Sequence, residues 1–325
     1  MADVFAYLEG FGASGGSPNK STIIVTAPTG STVTCKMGST TKTATEKNGV
    51  WTFGGLDLGT WTITSTKGGD SATQDVAITR LTVEYVTIVY RITPEFTYTG
   101  DYAIVDDSDN AISDFASWKN SWKIRFLTSG TFTVTKLNGW DGRLDVFLVG
   151  GGGNGETIRG ARGGGGGYTK TVKGVSIAIA TPYTVTIGAS SGTSSAFGAS
   201  ANGASGANGG SGGGGGGSSS GTPGNGGSNG GNGTAGNVSQ GGTGQGRTTR
   251  EFGESTGKLY SGGGGGSAAG AGAAGDSTAG AGANYGGAAK NGVANTGGGG
   301  GAAYAGTAGH GGSGIVIARN ARRAA

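Results

Sequence analysis

The chain has one cysteine, one histidine and five prolines in 325 residues. Cys35 alone cannot close an internal disulfide, so a small disulfide-stapled fold is excluded and a reducing site of synthesis is expected. His310 alone excludes metal chemistry that needs two histidines, including zinc hydrolysis of the His-Glu-x-x-His type, so no metal and no cofactor is expected. Scarce proline and irregular glycine spacing exclude a collagen repeat. No run of about 18 apolar residues occurs, and the stretch Met1–Glu9 lacks the basic flank and long apolar core of a secretion signal. The sequence-level expectation is therefore a chain made in the cytoplasm without membrane insertion.

What the chain has is glycine. Of 78 glycines, 17 lie in residues 1–150 and the other 61 in residues 151–325, so two differently built parts meet near Val149. Glycine has no side chain to bury and loses the most backbone entropy on ordering. A stretch this rich in it stays disordered unless close neighbours satisfy its backbone. Charge divides at the same point: 12 basic and 15 acidic residues precede Val149, and 11 basic and 4 acidic follow. The basic residues of the second part are scattered, with only Arg322 and Arg323 adjacent. Scattered charge of this kind solvates a surface and does not indicate nucleic acid as a partner.

Residues 1–20 read as an arm whose apolar side chains Val4, Phe5, Tyr7, Leu8 and Phe11 are candidate assembly contacts. From Ser21 to Ile92 short segments rich in Thr, Val, Ile and Trp alternate with Gly, Asn and Pro turns, the pattern of a small β-sandwich. Trp51 and Trp61 alternate with threonines and are expected to point inward. The segment Val50-Trp51-Thr52-Phe53-Gly54-Gly55-Leu56-Asp57-Leu58-Gly59-Thr60-Trp61-Thr62-Ile63-Thr64 resembles a strand corner of PEGA-like and carboxypeptidase-regulatory-like domains, and the resemblance implies an immunoglobulin-type sandwich. Residues 93–122 read as a connecting segment. Its carboxylates Asp106, Asp107, Asp109 and Asp114 invite a calcium reading, but the glycine and terminal glutamate of an EF-hand loop are missing, so a polar turn before a short helix bearing Phe115, Trp118 and Trp122 is expected.

Strand-like segments continue at Trp122–Leu127, Gly130–Leu137 and Leu144–Val149, and then at Gly167–Val172, Val175–Ala180, Pro182–Ile187 and Ile315–Ala318. A structureless linker would not be bracketed in this ordered way. The opening Asp145-Val146-Phe147-Leu148-Val149-Gly150-Gly151-Gly152-Gly153 and the closing Gly311-Gly312-Ser313-Gly314-Ile315-Val316-Ile317 resemble the two ends of the glycine-rich domain of phage tail-fibre and tail-tip proteins. That resemblance, over about residues 123–320, implies a fibre-tip adhesin like those of T-even-like phages, in which glycine runs form bundles of polyproline-II helices. The physics agrees: such a helix has three residues per turn and no internal hydrogen bonds, so its amides must bond to neighbouring chains, and only glycine permits close approach on every side.

The reading is thus an all-β chain: an arm (1–20), an immunoglobulin-like sandwich (21–92), a connecting segment (93–122), a β-domain with an inserted polyproline-II bundle (123–320) and a tail (321–325). The expected function is a non-enzymatic virion structural protein, a tail-fibre or tail-tip adhesin, with other tail proteins, a host-surface glycan or protein, and further copies of itself as partners. A self-assembling extracellular filament or surface-layer subunit is the alternative, and an ice-binding protein ranks lower because the glycine spacing is irregular. Receptor contacts are expected from the polar interruption at residues 245–260, through Arg247, Arg250, Phe252 and Tyr260, with Tyr285, Tyr304 and His310 as weaker candidates. Two matches to chemical motifs are discarded. Gly270–Gly275 fits a dinucleotide fingerprint but has no flanking strand and helix, and Gly253–Lys258 is one residue short of a phosphate loop. Glu251 and Glu254 sit among basic and polar residues, which disfavours a glycosidase acid with a raised pKa.

Overall fold

The computed structural model describes residues 20–67, 70–88, 93–118, 120–138, 140–158, 160–216, 222–226, 233–235 and 250–320. The chain is nearly all β and divides into two compact units, Met1–Thr93 with Ala116–Lys119, and Pro94–Phe115 with Asn120–Ala325. The candidate assembly residues Val4, Phe5, Tyr7, Leu8 and Phe11, and Arg247, lie outside the described residues.

In the first unit, strands β1 (Ser21–Thr26), β4 (Val50–Leu56) and β7 (Val83–Thr87) form one sheet in the order β4-β1-β7. Strands β2 (Thr32–Met37), β3 (Thr40–Thr43), β5 (Gly59–Lys67) and β6 (Asp70–Ile78) form another in the order β3-β2-β5-β6. Strands β1, β2, β4 and β5 alternate, and the apolar members of both sheets meet in one cluster: Ile23, Val25, Trp51 and Phe53 from the first, Val33, Cys35, Trp61 and Ile63 from the second. Both tryptophans point inward, as their alternation with threonine predicts. The buried Trp61 indole satisfies its one donor on the Asp57 carbonyl at 3.0 Å.

The second unit begins earlier than the sequence suggests. Where a connecting segment is expected, β8 (Glu95–Tyr98) and β9 (Tyr102–Val105) form, and they pair with β11 (Gly130–Lys136) and β10 (Lys123–Phe126) respectively. These strands are short and tyrosine-rich. Their identity comes from cross-strand aromatic packing: Phe96 lies 5.1 Å from Phe132, and Tyr98 4.8 Å from Phe126. No helix carries Phe115, Trp118 and Trp122; Phe115 lies in a bend and meets Trp122 edge-on at 5.5 Å, with Trp140 behind it. The polar turn does form, Asp106 Oδ1 accepting from the amides of Ser108 and Asn110.

Strands β12 (Arg143–Val149), β13 (Thr169–Ser176), β14 (Tyr183–Val185), β15 (Ser194–Ala196), β16 (Ala199–Ala201) and β17 (Ile315–Asn320) complete the unit. The main sheet has the order β13-β12-β17-β10-β9, so β17, from near the end of the described chain, is inserted between β12 and β10 and is buried for five of its six residues. The sheet therefore ties together both ends of the glycine region, Gly150 following β12 and Gly314 preceding β17.

Between these ends the glycine runs satisfy one another. The amides of Gly150, Gly153 and Glu156 donate to the carbonyls of Tyr168, Gly165 and Arg162 at 2.9, 2.8 and 3.0 Å, while Gly152 and Gly155 donate to Gly312 and Gly309 at 2.9 and 3.0 Å. Gly164 and Gly167 donate to Gly300 and Gly297, both at 2.8 Å, and Gly163 and Gly166 to Gly214 and Ser211. Each run returns to the same neighbour every third residue. A Cβ built on Gly152 or Gly164 would stand against the carbonyl of Gly298 or Gly153, so the runs are spaced for glycine alone.

Candidate functional site

Two places on the second unit gather the residues singled out by sequence. The first adjoins the main sheet. Lys123 on β10, Arg319 on β17 and Asp145 on β12 are directly paired in register, one row across three strands, and Arg125 lies two residues along the same face. Over this row folds the segment 250–260. The Lys123 ammonium reaches Asp109 at 2.7 Å and Glu251 at 2.9 Å. Arg125 reaches Asp109 at 2.6 Å and Glu251 at 3.4 Å, and the Tyr260 hydroxyl donates to Glu251 at 3.1 Å. Arg319 pairs with Asp145 at 3.3 Å and Glu254 at 2.8 Å while its guanidinium stacks 4.0 Å above the Phe252 ring.

Beside this network opens a polar cleft of about 490 Å³ lined by Asp107, Asp109, Glu251 and Glu254 and by Lys123, Lys258 and Arg319. Burial pushes the Tyr260 hydroxyl well above its ordinary pKa, and the charge of Glu251 adds to the effect, so it stays a neutral donor. Burial opposes ionisation of Asp109, but the hydrogen bond from Lys123 and the charges of Arg125, Lys123 and Lys258 outweigh it and hold the carboxyl below its ordinary range. Four carboxylates face three cations, so the wall is close to neutral and its deep charges already have partners. The arrangement clamps the 250–260 segment onto the sheet.

This corrects the expectation for two candidate contacts. Phe252 and Tyr260 are 5% and 1% exposed and form a core cluster with Phe147, Val149, Ile315 and Ile317. Side chains buried in this way anchor the loop and cannot be presented to a receptor. Arg250 is half-buried and donates to the Gly257 carbonyl at 2.9 Å.

The second place is the end of the glycine region remote from the sheet. The run that leaves β12 at Gly150 bonds at Glu156 to Ala303, and the Gly286 amide donates to the Tyr304 carbonyl at 2.9 Å, so the turns around 285 and 304 cap the runs at that end. There Tyr285 is 65% exposed and meets Tyr304 edge-on at 4.9 Å. Ser267 holds the turn from within, its hydroxyl donating to the Ala283 carbonyl and accepting from the Tyr304 amide. His310 is exposed elsewhere on the runs, its amide bonded to Asn291 Oδ1. The structure thus brings Tyr285 and Tyr304 together and separates them from Phe252 and Tyr260.

The charged network escaped the reading of the sequence, although it left a signal. Lys123, Arg125, Asp145 and Arg319 interrupt strands that are otherwise apolar, and a charge in such a strand requires a partner. A family model described as a glycine-rich domain matches residues 127–321, more than half of the chain. No curated protein matches it.

Proposed function

The chain belongs to the glycine-rich domain family, and on that premise we propose that it is a non-enzymatic structural protein of a phage tail, whose glycine-rich domain touches the host surface. In this reading the first unit is an immunoglobulin-like sandwich that attaches or spaces, and the glycine runs are polyproline-II helices packed in a bundle. At ~3.1 Å per residue, the run from Gly150 to Glu156 carries its far end roughly 19 Å from the sheet. The turns at Tyr285 and Tyr304 form the tip, and their rings offer a host glycan or surface protein apolar area at low entropic cost.

The observation that carries this reading is the three-residue return of hydrogen bonds between runs, from Gly150, Gly153 and Glu156 to Tyr168, Gly165 and Arg162. A backbone that repeats every three residues and bonds only to its neighbours is a stiff stalk, and a stiff stalk suits the display of loops at a distance. Copies of the chain and other tail proteins are the partners expected at the opposite end.

The test is binding of fluorescently labelled protein to bacterial cells, beside a variant with Tyr285→Ala and Tyr304→Ala. Binding by the wild type, reduced at least tenfold in the variant with an unchanged melting curve, supports the reading. Loss of binding together with melting of the domain makes the pair structural. Failure of the wild type to bind any of a panel of hosts sinks the adhesin, and open-ended filaments in negative stain favour the filament alternative.

A further inference from the structure

The cleft beside the charged network carries more hydrogen-bonding capacity than the fold uses. Its volume of about 490 Å³ falls within the roughly 300–1,000 Å³ of small-molecule sites. Lys123 lies on its wall, and an ammonium has three protons to donate. Two of them go to Asp109 and Glu251, and among the described residues no acceptor meets the third, although Lys123 is only 5% exposed. Arg319 is 4% exposed and spends Nε and Nη2 on Asp145 and Nη1 on Glu254, which leaves two of its five N–H groups. Glu254 meets Arg319 through Oε1, so among the described residues its Oε2 remains a free acceptor. At the mouth stand the exposed side chains of Ser108, Thr256 and Lys258. A buried donor without an acceptor is costly, and a ligand that supplies the acceptor recovers that cost.

The lining selects the class of ligand. Among the described residues no apolar side chain lines the cleft, which excludes a fatty or aromatic ligand. An anion meets the carboxylates of Asp107, Asp109, Glu251 and Glu254, and a cation meets Lys123, Lys258 and Arg319. A neutral hydroxyl suits both signs, since it donates to a carboxylate and accepts from an ammonium at once. We propose that the cleft binds a neutral mono- or disaccharide. Its neighbouring hydroxyls bridge the spare donors of Lys123 and Arg319 and the free oxygen of Glu254, and Thr256 and Lys258 contact its outer edge. The rings of Tyr260 and Phe252 take no part, because the charged ends of Lys258 and Arg319 already lie over them at 5.9 and 4.0 Å. Without a stacking platform the affinity rests on hydrogen bonds and falls near a Kd of about 1 mM. The cleft adjoins the sheet, apart from Tyr285 and Tyr304, and its ligand does not rest on the adhesin reading.

Titration of the isotope-labelled full chain with glucose, galactose and mannose, and with the amino sugar and uronic acid of each, tests this through amide chemical shifts. At least one neutral sugar should move the amides of Ser108, Glu254, Thr256 and Lys258 along one curve with a Kd of about 1 mM. Its charged counterparts should bind roughly tenfold more weakly or worse. Lys258→Met should weaken binding roughly tenfold, and Thr256→Trp, which fills the mouth, should abolish it, both with the melting curve of the wild type. No shift at those amides up to about 50 mM of every sugar overturns the proposal. So does tighter binding of an amino sugar or uronic acid, or binding that neither variant changes. Shifts confined to Tyr285 and Tyr304 place the sugar at the end of the runs and overturn it too. If Thr256→Trp fails to fold, Lys258→Met decides alone. Cell binding is read separately, and its failure leaves a positive titration standing.

Discussion

Replacing Gly152 by alanine separates an ordered glycine bundle from a linker, because the two readings give opposite signs. In a linker, alanine restricts the unfolded chain and leaves stability unchanged or raises it by about 0.4–1 kcal/mol. In the structure a Cβ at Gly152 meets the carbonyl of Gly298, with the Gly297 oxygen also at 2.8 Å. Those are backbone atoms, which cannot rotate away as a side chain would. The Gly298 carbonyl also accepts from the Gly312 amide at 2.8 Å, so displacing it strains a second run. Overpacking costs about 1–3 kcal/mol and a disturbed hydrogen bond about 1 more; after the gain of about 0.4–1 from the unfolded state, the net loss is about 1–3.5 kcal/mol. For a unit of this size that lowers Tm by roughly 2–14 °C. Gly174 is the control: it is left-handed at φ +67° with nothing near its Cβ, so alanine there carries only the backbone penalty, about 1–2 kcal/mol. Scanning calorimetry of the two variants against wild type measures both. A Gly152→Ala protein that melts at or above wild type would refute the packing argument.

Glu251→Ala strips Lys123 and Arg125 of a buried partner and should cost about 3–5 kcal/mol in urea denaturation, whereas Tyr260→Phe removes a hydroxyl that donates to Glu251 and accepts from Arg125 and should cost about 1–2 kcal/mol. Equal losses would mean that the clamp is apolar packing and not charge. Asp109 has a lowered pKa in the folded state, so its contribution is complete above the unfolded value of about 3.9 and is lost as pH falls through the folded one. Asp109→Asn should therefore flatten the dependence of stability on pH below pH 4 and leave the slope at neutral pH unchanged. Burial pushes the Cys35 thiol up to about 11, so a thiol reagent at pH 8 should label it only after denaturation, and its contribution to stability should fall as pH rises from about 9 through 11. Prompt labelling of the native protein would contradict the core assignment of Cys35.

Where a strand's own alternation is strong, sequence and structure agree. Ile23 and Val25, and Trp61 and Ile63, are buried on the faces their patterns select, and the continuous apolar run of β12 is buried on both faces. β8 and β9 were not legible, since four-residue strands containing Glu95, Thr97 and Tyr102 carry no clear period and are recruited by aromatic neighbours far along the chain. The candidate contacts divide in the same way. Phe252 and Tyr260 look like displayed aromatics in a polar segment, and only the partners of Glu251, Lys123 and Arg125, 126–128 residues away in the chain, with Arg319 on Glu254, show why that segment folds down.

Sequence alone determined the all-β character, the boundary near Val149 and the bracketing of the glycine region by strands, because these follow from local composition and periodicity. It also determined that glycine must be surrounded by backbone if it is ordered at all. Which run bonds to which, and which aromatic is buried and which stands at the end of the runs, was decided by tertiary structure. A glycine has no side chain to encode a partner, so the register of one run against another is set by the strands that hold their ends.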